Sequence, residues 1–232
     1  VSTPIVTIVT AAYKTQPDHL RAALDSATRQ TFGAFELIVS DDSPDASLAD
    51  IVSSFGDPRL RYQRNVSALG VAGNHWARFR DARGTYITLL NHDDVFEPAF
   101  LERLVAPLVA DETLALAFCD HWVIDAVGQV LAEGTDRNSR KWGRSALAAG
   151  AHRPFGELLL RQTIPLAMGT VFRRSALPGR FDETAGPAYD LWVTYWLCRT
   201  GLGAYYVPER LSHWRTHPTN LTSAAGSDWA LG

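Results

Sequence analysis

Apolar residues come in short runs that alternate with amphipathic stretches over the first hundred positions. Residues 5–9 are almost all β-branched and predict a strand, followed by a polar loop over 10–16. Pro17 and Asp18 open a predicted helix with Leu20, Ala23, Leu24 and Ala27 on one face. A second strand is predicted over 35–39, ending in Ser40-Asp41-Asp42-Ser43. Ser43 as N-cap and Pro44 as first residue predict the next helix, whose apolar face is Leu48, Ile51, Val52 and Phe55. A short third strand over 60–62, a loop over 65–70 and a helix over about 71–82 follow. Gly84 stops that helix, and residues 86–90, aromatic and branched, read as a buried strand. Strand and helix thus alternate, which predicts an α/β fold with a parallel sheet and crossover helices on both faces.

The second half is less regular. Residues 98–109 predict a helix with Leu101, Leu104, Val105 and Leu108 facing inward, its last turn disturbed by Pro107. Strands are predicted over 115–119 and 121–125, with a turn over 125–128. Residues 134–150, polar and glycine-bearing, read as a long mobile loop. Then come a short helix over 155–161, a strand over 168–172, an aromatic-rich helix over 188–199, and strands over 204–207 and 210–214. The small, polar stretch beyond Ser223 predicts a flexible tail over 224–232.

Length and composition fit this picture. A chain of 232 residues suits one large domain or two small ones, and 46% apolar residues suffice for a core. A net charge of -3 argues against a nucleic-acid partner. Cys119 and Cys198 each sit in an apolar run and read as buried free thiols of a reducing, cytoplasmic compartment. No apolar run reaches the ~18 residues of a spanning helix, so membrane association, if any, is expected to be peripheral. The chain opens without methionine, as a segment of a longer protein would.

Candidate chemistry lies at the strand ends. In parallel sheets ligands bind outside the carboxyl ends of strands, where this chain places Thr10 to Lys14, Asp41-Asp42 and Asn91-His92-Asp93-Asp94. The adjacent carboxylates Asp93 and Asp94 fit either a solvated turn before the next helix or a divalent-cation site. Glycine-rich dinucleotide and phosphate-loop fingerprints are absent after the first strand. A metal at Asp94 clamping a diphosphate, with Asp41 or Asp42 accepting hydrogen bonds from base or ribose, suits these residues. Tyr13 fits either a base-stacking platform or a surface tyrosine packing its loop. Asp190, in the first turn of the aromatic helix, fits either helix-dipole compensation or a general base. Arg215 and His217, two apart in an extended segment, share a side and suit diphosphate or metal, or the bare surface.

Taken together, these residues resemble a known family. Residues 5–14, Glu36-Leu-Ile-Val-Ser-Asp-Asp-Ser43, the spaced Asn65, Gly70, Asn74, Ala82 and Gly84, and Leu90-Asn-His-Asp-Asp94 are similar, in order, to motifs of family 2 glycosyltransferases. So are Gly169-Thr-Val-Phe-Arg-Arg-Ser-Ala-Leu177, Gly179-Arg-Phe-Asp182, Tyr189-Asp-Leu-Trp192, Tyr206-Val-Pro-Glu209, Trp214-Arg-Thr-His217 and Asn220-Leu-Thr-Ser223. The resemblance implies the GT-A fold, Rossmann-like, with a mixed, mainly parallel central sheet flanked by helices in a single domain. Residues 1–97 would form the donor-binding half and 98–223 the acceptor-binding half. It implies a metal-dependent, inverting transferase moving a sugar from a nucleoside-diphosphate sugar such as a UDP-sugar to a carbohydrate or lipid-linked acceptor, in polysaccharide or glycoconjugate biosynthesis. Mg²⁺ or Mn²⁺ would be held by Asp94, Asp93 and His217. Thr10, Ala11, Tyr13, Asp41, Asp42, Asn74, Asp93 and Arg215 would bind the nucleotide sugar, and Asp190 would be the base. The departures are Asn91 where the family has an acid, Gly73 where an arginine is usual, and Tyr189 where a glutamate is usual. A non-catalytic nucleotide-sugar-binding module and a nucleotidyltransferase are the alternatives.

Overall fold

In the computed structural model of the protein, residues 3–181 and 183–217 are described. The predicted tail over 224–232, the motif at 220–223 and Asp182 lie outside the described residues. The first half of the chain alternates as its pattern predicts: β1 (Val6–Ala12), α1 (Pro17–Thr28), β2 (Phe35–Asp41), α2 (Ser47–Ser53), β3 (Leu60–Arg64), α3 (Gly70–Asp81) and β4 (Tyr86–Leu89). After β5 (Val95–Phe96) come α4 (Phe100–Ala110), β6 (Leu114–Ile124), α5 (Ala132–Lys141), β7 (Gly150–His152), α6 (Gly156–Leu160), α7 (Leu166–Gly169), β8 (Thr170–Arg173), α8 (Tyr189–Arg199) and β9 (Gly203–Arg215).

The strands form one sheet in the order β3-β2-β1-β4-β8-β6-β9-β5, with β7 on β9. The first four run parallel. β8 is antiparallel to both β4 and β6, which leaves β6 and its parallel partner β9 running the same way as β1 and β4. The carboxyl ends of six strands therefore share one edge of the sheet. Helices α1, α2 and α4 bury Leu20, Leu24, Ile51, Leu101 and Leu104 against one face. Helices α3, α6, α7 and α8 bury Phe79, Leu158, Leu166, Val193 and Leu197 against the other. Both faces of the central strands are covered, which is why they read as continuous apolar runs.

Several boundaries move for tertiary reasons. β1 continues through Thr10 and Ala11 because Ala11 and Ala12 pair with Ser40 and Asp41. α2 starts at Ser47, not Pro44: the Ser43 hydroxyl accepts the Lys14 N–H (3.0 Å) and the Asp41 carboxylate takes the Ser43 N–H (2.8 Å), so the chain turns before it coils. α4 starts at Phe100 because Val95 and Phe96 pair with β9 and Glu97 donates its N–H to Leu211 (2.8 Å). Pro107 sits inside α4. The strand expected from 168 begins at Thr170, after the helical turn α7. The two strands predicted on each side of residue 120 are one, β6, and those around Pro208 are one, β9.

The largest correction concerns residues 134–150, which are not a long loop. They hold most of α5 and a 3-10 turn, Arg144–Ala146. The anchors are polar, so no apolar periodicity announced them. Thr135 Oγ1 accepts the Val123 N–H (2.9 Å), Ser139 donates to Asp120 (2.7 Å), and buried Arg144 pairs with Asp120 (2.7 Å).

Candidate active site

The predicted strand ends converge. Asp42 donates its N–H to Ala12 O (2.9 Å), Leu90 to Val9 O (3.0 Å) and Asn65 to Asp41 O (2.9 Å), stitching the ends of β2, β1, β4 and β3 together. Within this edge the candidate residues do different things.

Asp41 and Asp42 are buried, and their four carboxylate oxygens all hold protein donors. Asp41 accepts from Ser43 N–H and the Tyr62 hydroxyl (2.7 Å). Asp42 accepts from Asn65 Nδ2 (2.7 Å) and Leu69 N–H (2.9 Å). Asn74 is equally committed: its Oδ1 accepts from the Ser40 hydroxyl and Asn65 Nδ2 (2.9 Å), and its Nδ2 donates to Ser40 O (3.2 Å). These three residues brace the loops after β2 and β3 against α3. Thr10 is buried with a side-chain oxygen that has no hydrogen-bond partner, and Ala11 is half-buried. Tyr13 is 52% exposed, with Lys14 Nζ 5.2 Å from its ring centre.

The acid pair divides its labour. Asp94 is buried, with Oδ1 accepting the Arg215 N–H (2.8 Å) and Oδ2 the Asn91 amide (2.8 Å). Burial first, then the neighbouring Asp93 charge, raise its carboxyl well above the usual range. Asp93 instead meets His217, whose Nε2 lies 3.0 Å from Oδ2. Asn91, the departure from an acidic residue, thus serves as the amide clamp on Asp94. The Arg215 side chain turns inward, donating from Nε to Asp93 O (2.7 Å) and from Nη1 to the carbonyls of Asp125 and Ala126 (both 3.3 Å). It fastens the end of β9 to the acid loop and to the turn after β6.

Among the described residues no group of three His, Cys, Asp or Glu side chains forms a metal-binding set. The Asp93 carboxylate is an oxygen ligand of the kind Mg²⁺ and Mn²⁺ take, with water and substrate phosphates to complete the shell, whereas the His217 imidazole beside it is a nitrogen donor that suits later transition metals better.

Asp190 opens α8, half-buried, with its Oδ1 accepting the Leu191 N–H (2.7 Å). Burial raises its carboxyl above the ordinary value. Its neighbour Tyr189 is buried. Burial, then the charges of Asp190, Asp94 and Asp93, raise its phenol well above the usual value, so one tyrosine lies within the field of all three carboxylates.

Sequence reasoning passed over three histidines. His75 stacks on Tyr189 (4.3 Å, 16°), and its buried Nε2 has no partner. The His19 ring centre is 5.5 Å from that of His217, and half-buried His92 lies within the field of Asp93, His217 and His19. His92 lies inside the acidic motif and His75 beside Asn74, positions that could have drawn notice. His19, alone on a polar helix face, gave no signal.

The sequence model of glycosyl transferase family 2 matches residues 7–177. The chain belongs to this family. An uncharacterized glycosyltransferase of Rickettsia typhi is 25% identical over 225 residues, covering 96% of this chain and 67% of that protein. An Escherichia coli enzyme named UDP-Glc:alpha-D-GlcNAc-diphosphoundecaprenol beta-1,3-glucosyltransferase is 34% identical over 90 residues, 39% of this chain and 36% of its own length. Among solved structures, S. aureus TarS 1–349 in complex with UDP superposes with a TM-score of 0.69 at 16% identity, over 92% of this chain and 61% of that one. The fold is the GT-A fold of glycosyltransferases. No described helix is long and apolar enough to cross a membrane.

Proposed function

We propose that the chain transfers a sugar from a UDP-sugar to an acceptor hydroxyl with inversion at the anomeric carbon. The observation that carries this reading is the match of the glycosyl transferase family 2 model over residues 7–177, with Asp190 at the start of α8 and the contact of Asp93 with His217 as the candidate groups. Family membership and the UDP bound by the similarly folded TarS support the donor class.

Asp190 takes the proton of the acceptor hydroxyl as its oxygen bonds the anomeric carbon. The carbon–oxygen bond to UDP breaks, and the electron pair leaves on the diphosphate. One displacement from the face opposite the leaving group inverts the centre. Asp93 and His217 would hold the cation, which when bound neutralises charge on the leaving diphosphate. Asp94, committed to Arg215 and Asn91, would shape the loop instead of ligating metal. Asp41, Asp42 and Asn74 would form the nucleoside wall, Thr10, Ala11 and Tyr13 the loop beside it, and Arg215 would hold the acid loop in place. The acceptor would be a carbohydrate, free or lipid-linked, with the domain working at the cytoplasmic membrane face.

Asp190→Asn is expected to lower transfer about 10²–10⁴-fold while UDP affinity by calorimetry stays unchanged. Asp93→Asn is expected to abolish the Mn²⁺ dependence of UDP binding. Wild-type protein that binds UDP but never turns over would instead identify a non-catalytic binding module.

A further inference from the structure

The first turn of α8 carries Asp190, yet the chain just before it does little to fix that turn. Ala188 at the N-cap makes no side-chain hydrogen bond, so the open N–H groups there gain no capping partner from it. The preceding 3-10 turn, Glu183–Ala188, is broken at Gly186, whose φ is 50° and ψ -130°. The contacts come from α3 instead. Buried His75 lays its ring on that of Tyr189, with 4.3 Å between centres and 16° between planes. The next residue, Trp76, stacks on Phe181 (4.9 Å, 18°), and Phe181 meets Trp192 edge-on (4.4 Å, 72°). Two consecutive side chains of α3 thus grip residues 189 and 192, and Asp190 lies between them in the chain.

The polar atoms of His75 take no part in this grip. Nδ1 lies 2.8 Å from the Val71 carbonyl of its own helix and so carries the ring hydrogen, while buried Nε2 has no hydrogen-bond partner. What the residue offers α8 is the flat face of an aromatic ring. We propose that His75 is a positioning residue for the transfer reaction: its stack on Tyr189, seconded by Trp76 through Phe181, sets where the Asp190 carboxylate stands. The inference rests on the transferase reading above. The residue before His75 extends the same line to the other side of the site. Asn74 is bonded to Ser40 in β2 and to Asn65 just after β3. Residues 74 to 76 therefore tie the first turn of α8 to the proposed nucleoside wall, so that base and donor keep one spacing. A reacting group displaced by ~1 Å can slow a reaction ~10²-fold.

Two variants separate the stack from the filling of space. His75→Phe keeps a flat ring, and His75→Leu keeps an apolar side chain without one. The readout is UDP release from UDP-glucose or UDP-N-acetylglucosamine with a methyl glucoside as acceptor. In His75→Leu, kcat is expected to fall about 10–100-fold while UDP affinity and acceptor KM stay unchanged, as when an arrangement needed only in the transition state is lost. His75→Phe is expected to retain most of the wild-type kcat. In an Asp190→Asn background His75→Leu is expected to cost nothing further, because its effect runs through that carboxylate. Tyr195→Leu, which removes an exposed ring from the same helix, is the control. Wild-type kcat in His75→Leu, a matching loss of UDP affinity, His75→Phe as slow as His75→Leu, or a full additional loss in the Asp190→Asn background would each overturn this role alone. Wild-type protein that releases UDP from neither sugar nucleotide would overturn the transferase reading and this role with it.

Discussion

At the scale of single residues, burial and the partners it brings set which groups ionise readily. Two histidines are buried and uncharged. Burial lowers His75 to about 4, and burial followed by the Arg144 charge lowers His121 to about 3. Free histidine titrates near ~6.5, so below that pH the unfolded chain binds protons that the folded chain refuses. Stability is therefore expected to be full above about pH 6.5 and to fall as pH drops towards the folded values. Urea midpoints at pH 7.5 and pH 5 measure this, and His121→Gln is expected to flatten the dependence. An unchanged slope would mean that acid sensitivity originates elsewhere. The same logic separates the carboxylates. Asp41, Asp42 and Asp94 looked like ligand acids in the sequence, yet each has both oxygens engaged by protein donors. No sequence pattern distinguishes them from Asp93 and Asp190, because the donors come from residues up to 121 positions away.

At the scale of elements, two junctions fix the edge on which the site is built. Gly84 lets β4 close against β1. A Cβ there would sit 2.5 Å from Thr7 N and 2.7 Å from Val6 C, both backbone atoms that cannot step aside. Gly84→Ala is expected to cost about 1–3 kcal/mol or more, read as a lowered urea midpoint. Gly33→Ala, with open space around it, is expected to leave the midpoint unchanged. The second junction joins α5 to β6 through Asp120, Ser139 and Arg144. Arg144→Gln removes the nearer of the two arginines on Asp120, leaving Arg210 at 3.7 Å, and is expected to destabilise by about 1.5–3 kcal/mol, with proteolysis appearing first between residues 132 and 146. Cleavage elsewhere would show that α5 is held by other contacts. This helix was missed from sequence because Ala132–Lys141 carries almost no apolar stripe.

At the scale of the whole molecule, one sheet edge collects the carboxyl ends of six strands, and the site draws on both halves of the chain. Asp93 follows β4, His217 follows β9, and Asp190 opens α8. Ligand binding and global stability are thus linked. UDP with Mn²⁺ at a hundred times its Kd is expected to stabilise the domain by about 2.7 kcal/mol, and chelation is expected to remove most of that gain. Equal stabilisation with and without Mn²⁺ would argue against a cation at Asp93 and His217. dTDP in the same assay reports on the base.

The sequence by itself determined the alternation of strand and helix, the two-sided burial of the central strands, and the family. Each is written in local periodicity and motif order, which need no distant partner to be read. Tertiary structure alone decided the antiparallel insertion of β8, the polar anchoring of α5, and the choice of Asp93 over Asp94 to face His217. These depend on hydrogen bonds and charges between residues far apart in the chain, whose desolvation and pairing energies arise only once the sheet has brought them together.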